Sequence, residues 1–118
     1  MEEKHKTTIK GRFVSLIVGQ GFRLSLKRFT LKRTSTFIDE GGDSLAAVEL
    51  INILSNDLNV ELPIERLASE SIEEITEWFQ QYSNLSLITL MLTASKNVGV
   101  EFAELATFKR SSGSRADE

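Results

Sequence analysis

The run from Ala47 to Leu58 most constrains how this chain folds, because its apolar residues recur with the period of a helix. Positions i, i+3, i+4, i+7 and i+11 of this run are Ala47, Leu50, Ile51, Leu54 and Leu58. That spacing predicts one apolar face on a helix that packs against a core. Gly41 and Gly42 interrupt the chain just before it, and Asp43 or Ser44 can cap the first turn. We therefore expect a helix from this turn to residues 56–59.

Three further helices are predicted around this one. The first starts near Ile9 after a cap at Thr7 or Thr8 and is ended by Gly19 and Gly21. Its apolar face is formed by Ile9, Phe13, Leu16 and Ile17. Residues 22–36 show no clear period and are predicted to be mostly a long loop.

The third and fourth predicted helices follow Pro63. This proline suits the first turn of a short helix that ends at about Ala68. Ser71 and Glu74 form a capping-box pattern, which begins a last helix. The apolar face of that helix contains Ile72, Ile75, Trp78, Phe79 and Tyr82. The fold class is therefore predicted to be all-α, a four-helix bundle with a long loop between helices 1 and 2.

The length of 118 residues suits one small domain with extensions. We predict a disordered basic N-terminus over residues 1–7, the bundle over 8–82, and an extension or linker over 83–118 whose end is disordered. Residues 83–108 contain apolar positions that are compatible with a helix or with packing on the bundle. The chain has no cysteine, which excludes disulfides and thiolate metal sites and suits a reducing, cytoplasmic location. No run is long enough to span a membrane.

Charge is unevenly distributed along the chain. Residues 1–36 carry nine Lys or Arg against two Glu, a net charge of +7. Residues 37–82 carry eleven acids against Arg66 alone, a net charge of −10. The basic cluster of the first segment (Lys27, Arg28, Lys32, Arg33) could contact the acidic second helix, bind a partner or bind nucleic acid. It has few aromatic neighbours and no recognised binding module, so we expect no nucleic-acid binding.

Ser44 is the one serine with an obvious chemical context, since residues 42–45 read GDSL. A catalytic serine needs a base, and the single histidine, His5, lies upstream in a polar segment. The hydrolase interpretation is therefore poorly supported. Two interpretations remain open from the residues alone: Ser44 caps a helix in a small interaction module, or it is an attachment point.

The stretch FIDEGGDSLAAVELINILSNDLNVELPIERLASESIEEITEWF resembles the carrier domains of nonribosomal peptide and polyketide synthases. Phe37, Gly41, Gly42, Asp43, Ser44 and Leu45 match the family's attachment motif. Three further groups of residues match the family along the chain. They are the helix 2 positions Ala47, Val48, Leu50, Leu54 and Leu58, the segment with Val60, Leu62 and Pro63, and the start of the last helix at Ser71, Ile72, Glu73 and Ile75. Such a linked series is far more specific than a tetrapeptide.

The resemblance covers about residues 37–82 and implies a non-catalytic carrier domain, which we expect to extend over residues 8–82. It implies 4′-phosphopantetheine attached to Ser44, next to Gly42 and Asp43, and no metal site. The cofactor would hold acyl or aminoacyl groups as thioesters. A phosphopantetheinyl transferase would attach it, and adenylation, condensation or ketosynthase-type domains would use it. We expect Leu45, Val48 and Glu49 to contact partners, the acidic surface to speed these encounters, and the protein to be a monomer.

Overall fold

The computed structural model describes residues 8–99, and its first helix, α1, covers Ile9–Leu26. Thr8 caps this helix, because its side-chain oxygen accepts a hydrogen bond from the amide of Gly11 at 2.9 Å. Lys27 ends it in a left-handed conformation, with φ 59°, and its N–H donates to the carbonyl of Arg23. The predicted start of α1 is thus confirmed, and its end lies beyond the predicted one.

The prediction that Gly19 and Gly21 end the first helix is wrong. Both are buried within α1. A Cβ at Gly21 would lie 2.7 Å from Cδ2 of Leu54, so the missing side chain lets α1 approach α2 closely. Close packing offsets the roughly 1 kcal/mol by which glycine disfavours a helix. The predicted face also differs, since Ile9 and Leu16 are exposed and the buried apolar residues of α1 are Val14, Ile17, Val18 and Phe22.

The second helix, α2, covers Ser44–Leu58 and follows a long loop over residues 27–43. Asp43 is its cap, as its carboxylate accepts a hydrogen bond from the amide of Ala46 at 2.9 Å. Asn59 ends α2 in a left-handed conformation. The predicted apolar face is confirmed: Ile51 is partly buried, and the buried residues are Ala47, Leu50, Leu54 and Leu58.

The short helix α3 covers Arg66–Ser69, so it begins three residues later than Pro63, where it was predicted. Residues 63–65 form a turn that leads into it, with the amide of Arg66 donating to the carbonyl of Pro63 at 3.0 Å. The side chain of Arg66 pairs with Glu70 and lies over the ring of Trp78, 5.6 Å from its centre. These contacts hold α3 against the last predicted helix.

The fourth helix, α4, covers Ile72–Tyr82 and begins with the predicted capping box. Ser71 accepts from the amide of Glu74, and Glu74 accepts from the amide of Ser71. Of the predicted apolar face, Tyr82 is half exposed at the end of the helix and Trp78 is partly buried, while the buried members are Ile72, Ile75 and Phe79.

A fifth helix, α5, covers 87–99 and lies beyond the predicted bundle. Its Leu90 and Ala94 are buried in the same apolar cluster as the other helices. Gln20 of α1 donates to the carbonyl of Ala94 at 3.2 Å, and Asn97 donates to the carboxylate of Asp57 at 2.7 Å. The sequence left open whether this segment is helical or packs on the bundle. Up to residue 99 it does both. The division of the chain at residue 82 stays a prediction.

The all-α prediction is confirmed for residues 8–99, which form five helices and no strand. Thr36 and Ser71 form an isolated bridge that ties the long loop to the start of α4. None of the helices described has the length and apolar content that a membrane crossing requires. The predictions for residues 1–7 and for the end of the chain lie outside the described residues.

Candidate functional site

The turn before α2 is built on the backbone of Phe37. The amide of Gly42 donates to the carbonyl of Phe37 at 3.0 Å, and the amide of Gly41 donates to the carbonyl of Ile38 at 2.9 Å. Gly41 has a φ of +100°, which side-chain-bearing residues rarely adopt. At Gly42 the constraint is space, because a Cβ there would overlap the ring of Phe37. Glycine is therefore needed at both positions.

Phe37 fixes this turn to the core. Its side chain is 1% exposed, and its ring packs edge-on against that of Phe22, with 5.8 Å between the centres. Such an aromatic pair adds about 0.5–1.5 kcal/mol to the area that it buries. The chain therefore reaches the first residue of α2 from a fixed point on the core.

Ser44 is that first residue, and its side chain is exposed. Among residues 8–99, no hydrogen bond involves its hydroxyl, and none involves the amide of Ser44 or of Leu45. Asp43 already satisfies the next amides, since its carboxylate and carbonyl accept from Ala46 and Ala47 at 2.9 Å each. A free hydroxyl therefore lies at a helix N-terminus, where the helix dipole and open amides favour a negatively charged group.

An open groove of about 450 Å³ runs beside Ser44. Its lining includes Gly42, Asp43 and Ser44, and the rest of the lining is mostly apolar: Phe37, Ile38, Ala47, Val48, Ile64, Leu67 and Ala68. Gly42, Asp43 and Ser44 thus line one groove, and their role in holding a cofactor stays a prediction.

The predicted partner contacts lie next to this groove. Leu45 is 79% exposed and Val48 is 51% exposed, on the outer side of α2. Together with Glu49 they line a second, shallower groove of about 390 Å³. Val48 lines both grooves, so the second groove adjoins the one that contains Ser44.

The described part of the chain offers Ser44 no histidine that could act as a catalytic base. His5 lies outside the described residues, and residues 8–99 contain no other histidine. In that same range, no three His, Cys, Asp or Glu side chains come together as metal ligands would. The arrangement suits a hydroxyl that another protein modifies.

Sequence reasoning missed one contact at this turn. Arg28 donates through Nη1 to the carbonyl of Glu40 at 2.8 Å, and the same nitrogen lies 3.4 Å from the Glu40 carboxylate. Glu40 is nearly buried, at 9% exposure. Both residues lie in an irregular loop, so no periodic signal could have paired them.

Comparison with known proteins agrees with this geometry. The family model described as "phosphopantetheine attachment site" matches residues 23–79, just under half of the chain. Indigoidine synthase from Dickeya dadantii (strain 3937) is 34% identical over 83 residues, which are 69% of this chain and 6% of that protein. The chain thus spans a small part of this relative's length. No solved structure matches the chain. Members of the matched family bind 4′-phosphopantetheine covalently on a serine. Residues 23–79, which contain α2, α3 and most of α4, are a phosphopantetheine carrier domain of this family.

Proposed function

We propose that this chain carries 4′-phosphopantetheine on Ser44 and thereby holds acyl or aminoacyl groups for the enzymes of a synthase. The observation that carries the proposal is the exposed hydroxyl of Ser44 at the start of α2, which is without a hydrogen bond among residues 8–99. It lies within the segment that the family model matches.

The residues around Ser44 fit the cofactor. The free amides of Ser44 and Leu45 and the positive end of the α2 dipole suit a phosphodiester on this hydroxyl. Gly42 and Asp43 line the groove at the attachment point, and its apolar lining suits the methyl groups and chain of a pantetheine arm. When bound, the cofactor supplies a terminal thiol for thioesters, which a chain without cysteine lacks.

Ser44 has one chemical role in this proposal. Its hydroxyl oxygen forms the new bond to phosphorus, its proton passes to a base of the transferase, and the nucleotide part of coenzyme A leaves. The Asp43 carboxylate is already engaged as the cap of α2. The chain itself then needs no base beside Ser44, and we propose that it is not catalytic on its own.

The surface formed by Leu45, Val48 and Glu49 is proposed to dock partners. It places two exposed apolar side chains and one carboxylate around the attachment point. The name of the relative supports a synthase setting for the carrier. Adenylation, condensation or ketosynthase-type domains are the proposed users of the carried group. A monomeric state, a cytoplasmic location and the absence of nucleic-acid or membrane binding stay predictions.

Mass spectrometry tests the attachment directly. Incubation with coenzyme A, Mg²⁺ and a permissive phosphopantetheinyl transferase should add one phosphopantetheine group to the wild-type chain. Ser44→Ala should remove the addition completely, because no other oxygen replaces the acceptor. Ser69→Ala, which changes an exposed serine of α3, is the control and should be modified like the wild type.

Two results would contradict the proposal. A Ser44→Ala variant that still gains the group would place the attachment elsewhere. A folded wild type that several transferases leave unmodified would favour the alternative, a small interaction module in which Ser44 only begins a helix.

A further inference from the structure

The side chain of Arg28 crosses from the end of α1 to the turn that leads to Ser44. Its Nη1 lies 2.8 Å from the carbonyl oxygen of Glu40 and 3.4 Å from the Glu40 carboxylate. The guanidinium therefore contacts both the backbone and the side chain of one residue, four positions before Ser44. Hydrogen bonds from a charged donor are stronger than neutral ones.

The end of α1 determines where Arg28 lies. Lys27 adopts the left-handed conformation, and the amides of both Lys27 and Arg28 donate to the carbonyl of Arg23. This pattern is a common way to close a helix, and it leaves the backbone of Arg28 little freedom. Arg28 therefore starts from a fixed point on the bundle.

Glu40 is restrained from two directions. Its amide donates to the carbonyls of Thr36 and Phe37, at 3.1 and 3.2 Å, inside the turn. Arg28 holds its carbonyl from outside the turn. The next two residues, Gly41 and Gly42, have no side chains with which to hold the backbone, so restraint at Glu40 limits the range of conformations available before Ser44.

We propose that Arg28 is a positioning residue for the modification of Ser44. It keeps the turn in the conformation that presents the serine hydroxyl to the transferase. This inference rests on the proposed function, because it assumes that Ser44 is modified. When only a fraction of a substrate has the competent conformation, its apparent affinity falls by that fraction. Loss of Arg28 should therefore weaken recognition of the carrier more than it slows the transfer itself.

The neighbouring cations do not share this contact. Lys27 and Lys32 are exposed. Arg33 lies against α4, where its Nη1 donates to the hydroxyl of Thr76 at 3.4 Å. An effect of Arg28 can therefore be separated from an effect of positive charge in general, and Lys32→Ala is a matched control that removes the same charge from the same loop.

Steady-state kinetics of the transferase should be measured with the carrier as the varied substrate, for wild type, Arg28→Ala, Arg28→Lys and Lys32→Ala. We expect Arg28→Ala to raise KM about tenfold while kcat changes less than about twofold. Arg28→Lys should recover part of the loss, since lysine can still donate to the Glu40 carbonyl. Lys32→Ala should behave like the wild type.

Hydrogen exchange of the unmodified protein gives a readout that is independent of the transferase. The amides of Gly41 and Gly42 donate within the turn, so Arg28→Ala should speed their exchange and Lys32→Ala should not. Circular dichroism at the assay temperature should confirm that all variants are folded.

The outcomes separate this inference from the proposed function. If the wild type is modified on Ser44 and Arg28→Ala matches Lys32→Ala in both KM and exchange, the positioning role is refuted while the carrier function stands. A fall in kcat with unchanged KM and exchange would also refute it. If the wild type is not modified on Ser44, both proposals fail together.

Discussion

Gly42 lies against the ring of Phe37, which is itself held against Phe22 in the core. The backbone before Ser44 can approach the core this closely because residue 42 has no side chain. A side chain at position 41 would have open space around it, but the φ of +100° at Gly41 is one that only glycine adopts readily. At the scale of single residues, the attachment turn therefore depends on contact with the core at one glycine and on backbone conformation at the other.

Gly42→Ala should destabilise the protein. The new methyl group would overlap the buried ring of Phe37, which packs against Phe22, and overpacking of this kind costs about 1–3 kcal/mol. Urea unfolding followed by circular dichroism measures the change in free energy of unfolding. The rate of phosphopantetheine addition should fall as well, because the ring and the turn must shift relative to each other.

Gly99→Ala is the control for this prediction. A Cβ at Gly99 meets no atom within 4 Å, and its φ is not in the region that favours glycine. Its stability should equal or exceed that of the wild type. Equal stability of Gly42→Ala and the wild type would mean that the Phe37 ring can move aside without cost.

The residues of the site that could be predicted are those whose signals are local. The cap at Asp43, the exposed start of α2 at Ser44 and the two glycines follow from a few adjacent letters. The contact between Arg28 and Glu40 could not be predicted, because it depends on how the end of α1 meets the loop in space.

α5 shows the same limit for whole elements. The amphipathic pattern of α2 and the capping box of α4 locate these helices from the sequence alone. The length of α1 could not be predicted, because a glycine such as Gly21 usually indicates the end of a helix. In the structure, Leu54 of α2 packs in the space that a side chain on Gly21 would occupy. The place of α5 on the core is likewise set by contacts with α1 and α2 that no local pattern reveals.

Leu90→Ala should show that α5 is part of the folded unit. Leu90 is 1% exposed within the core cluster, so its truncation should lower the free energy of unfolding by about 2–5 kcal/mol. Leu92→Ala removes the same atoms from the same helix at a position that is 66% exposed, and its effect should stay within about 0.5 kcal/mol. Urea unfolding of both variants gives the comparison. Similar small effects would mean that α5 adds little to the bundle, as expected for a linker that begins after residue 82.

At the scale of the molecule, charge divides between two parts of the bundle. Most exposed basic residues lie on α1 and in the loop after it, with Lys96 on α5 as an exception, and the exposed acids lie mainly on α2, α4 and the segment between them. Arg33 lies in the basic part, and its partial burial lowers the pKa of its guanidinium. The nearby charge of Arg23 lowers this pKa further, while Glu73 raises it. Ser44 belongs to the acidic part, so a partner that approaches the attachment point meets a negative surface.

That surface predicts how Glu49 contributes to encounters with partners that carry basic patches. Glu49 lines the groove with Leu45 and Val48, so Glu49→Gln removes one attractive charge and leaves the shape unchanged. The kcat/KM for phosphopantetheine addition should fall about two- to fivefold at low salt, the range expected for one exposed charge pair. The difference should shrink near 0.5 M salt, where charges more than about 4–5 Å apart are screened. Glu77→Gln, an equal change at an exposed position on α4 that lines neither groove, should have little effect at any salt concentration. If both variants slow the reaction equally, the transferase responds to the total charge of the carrier and not to a docking surface around Ser44.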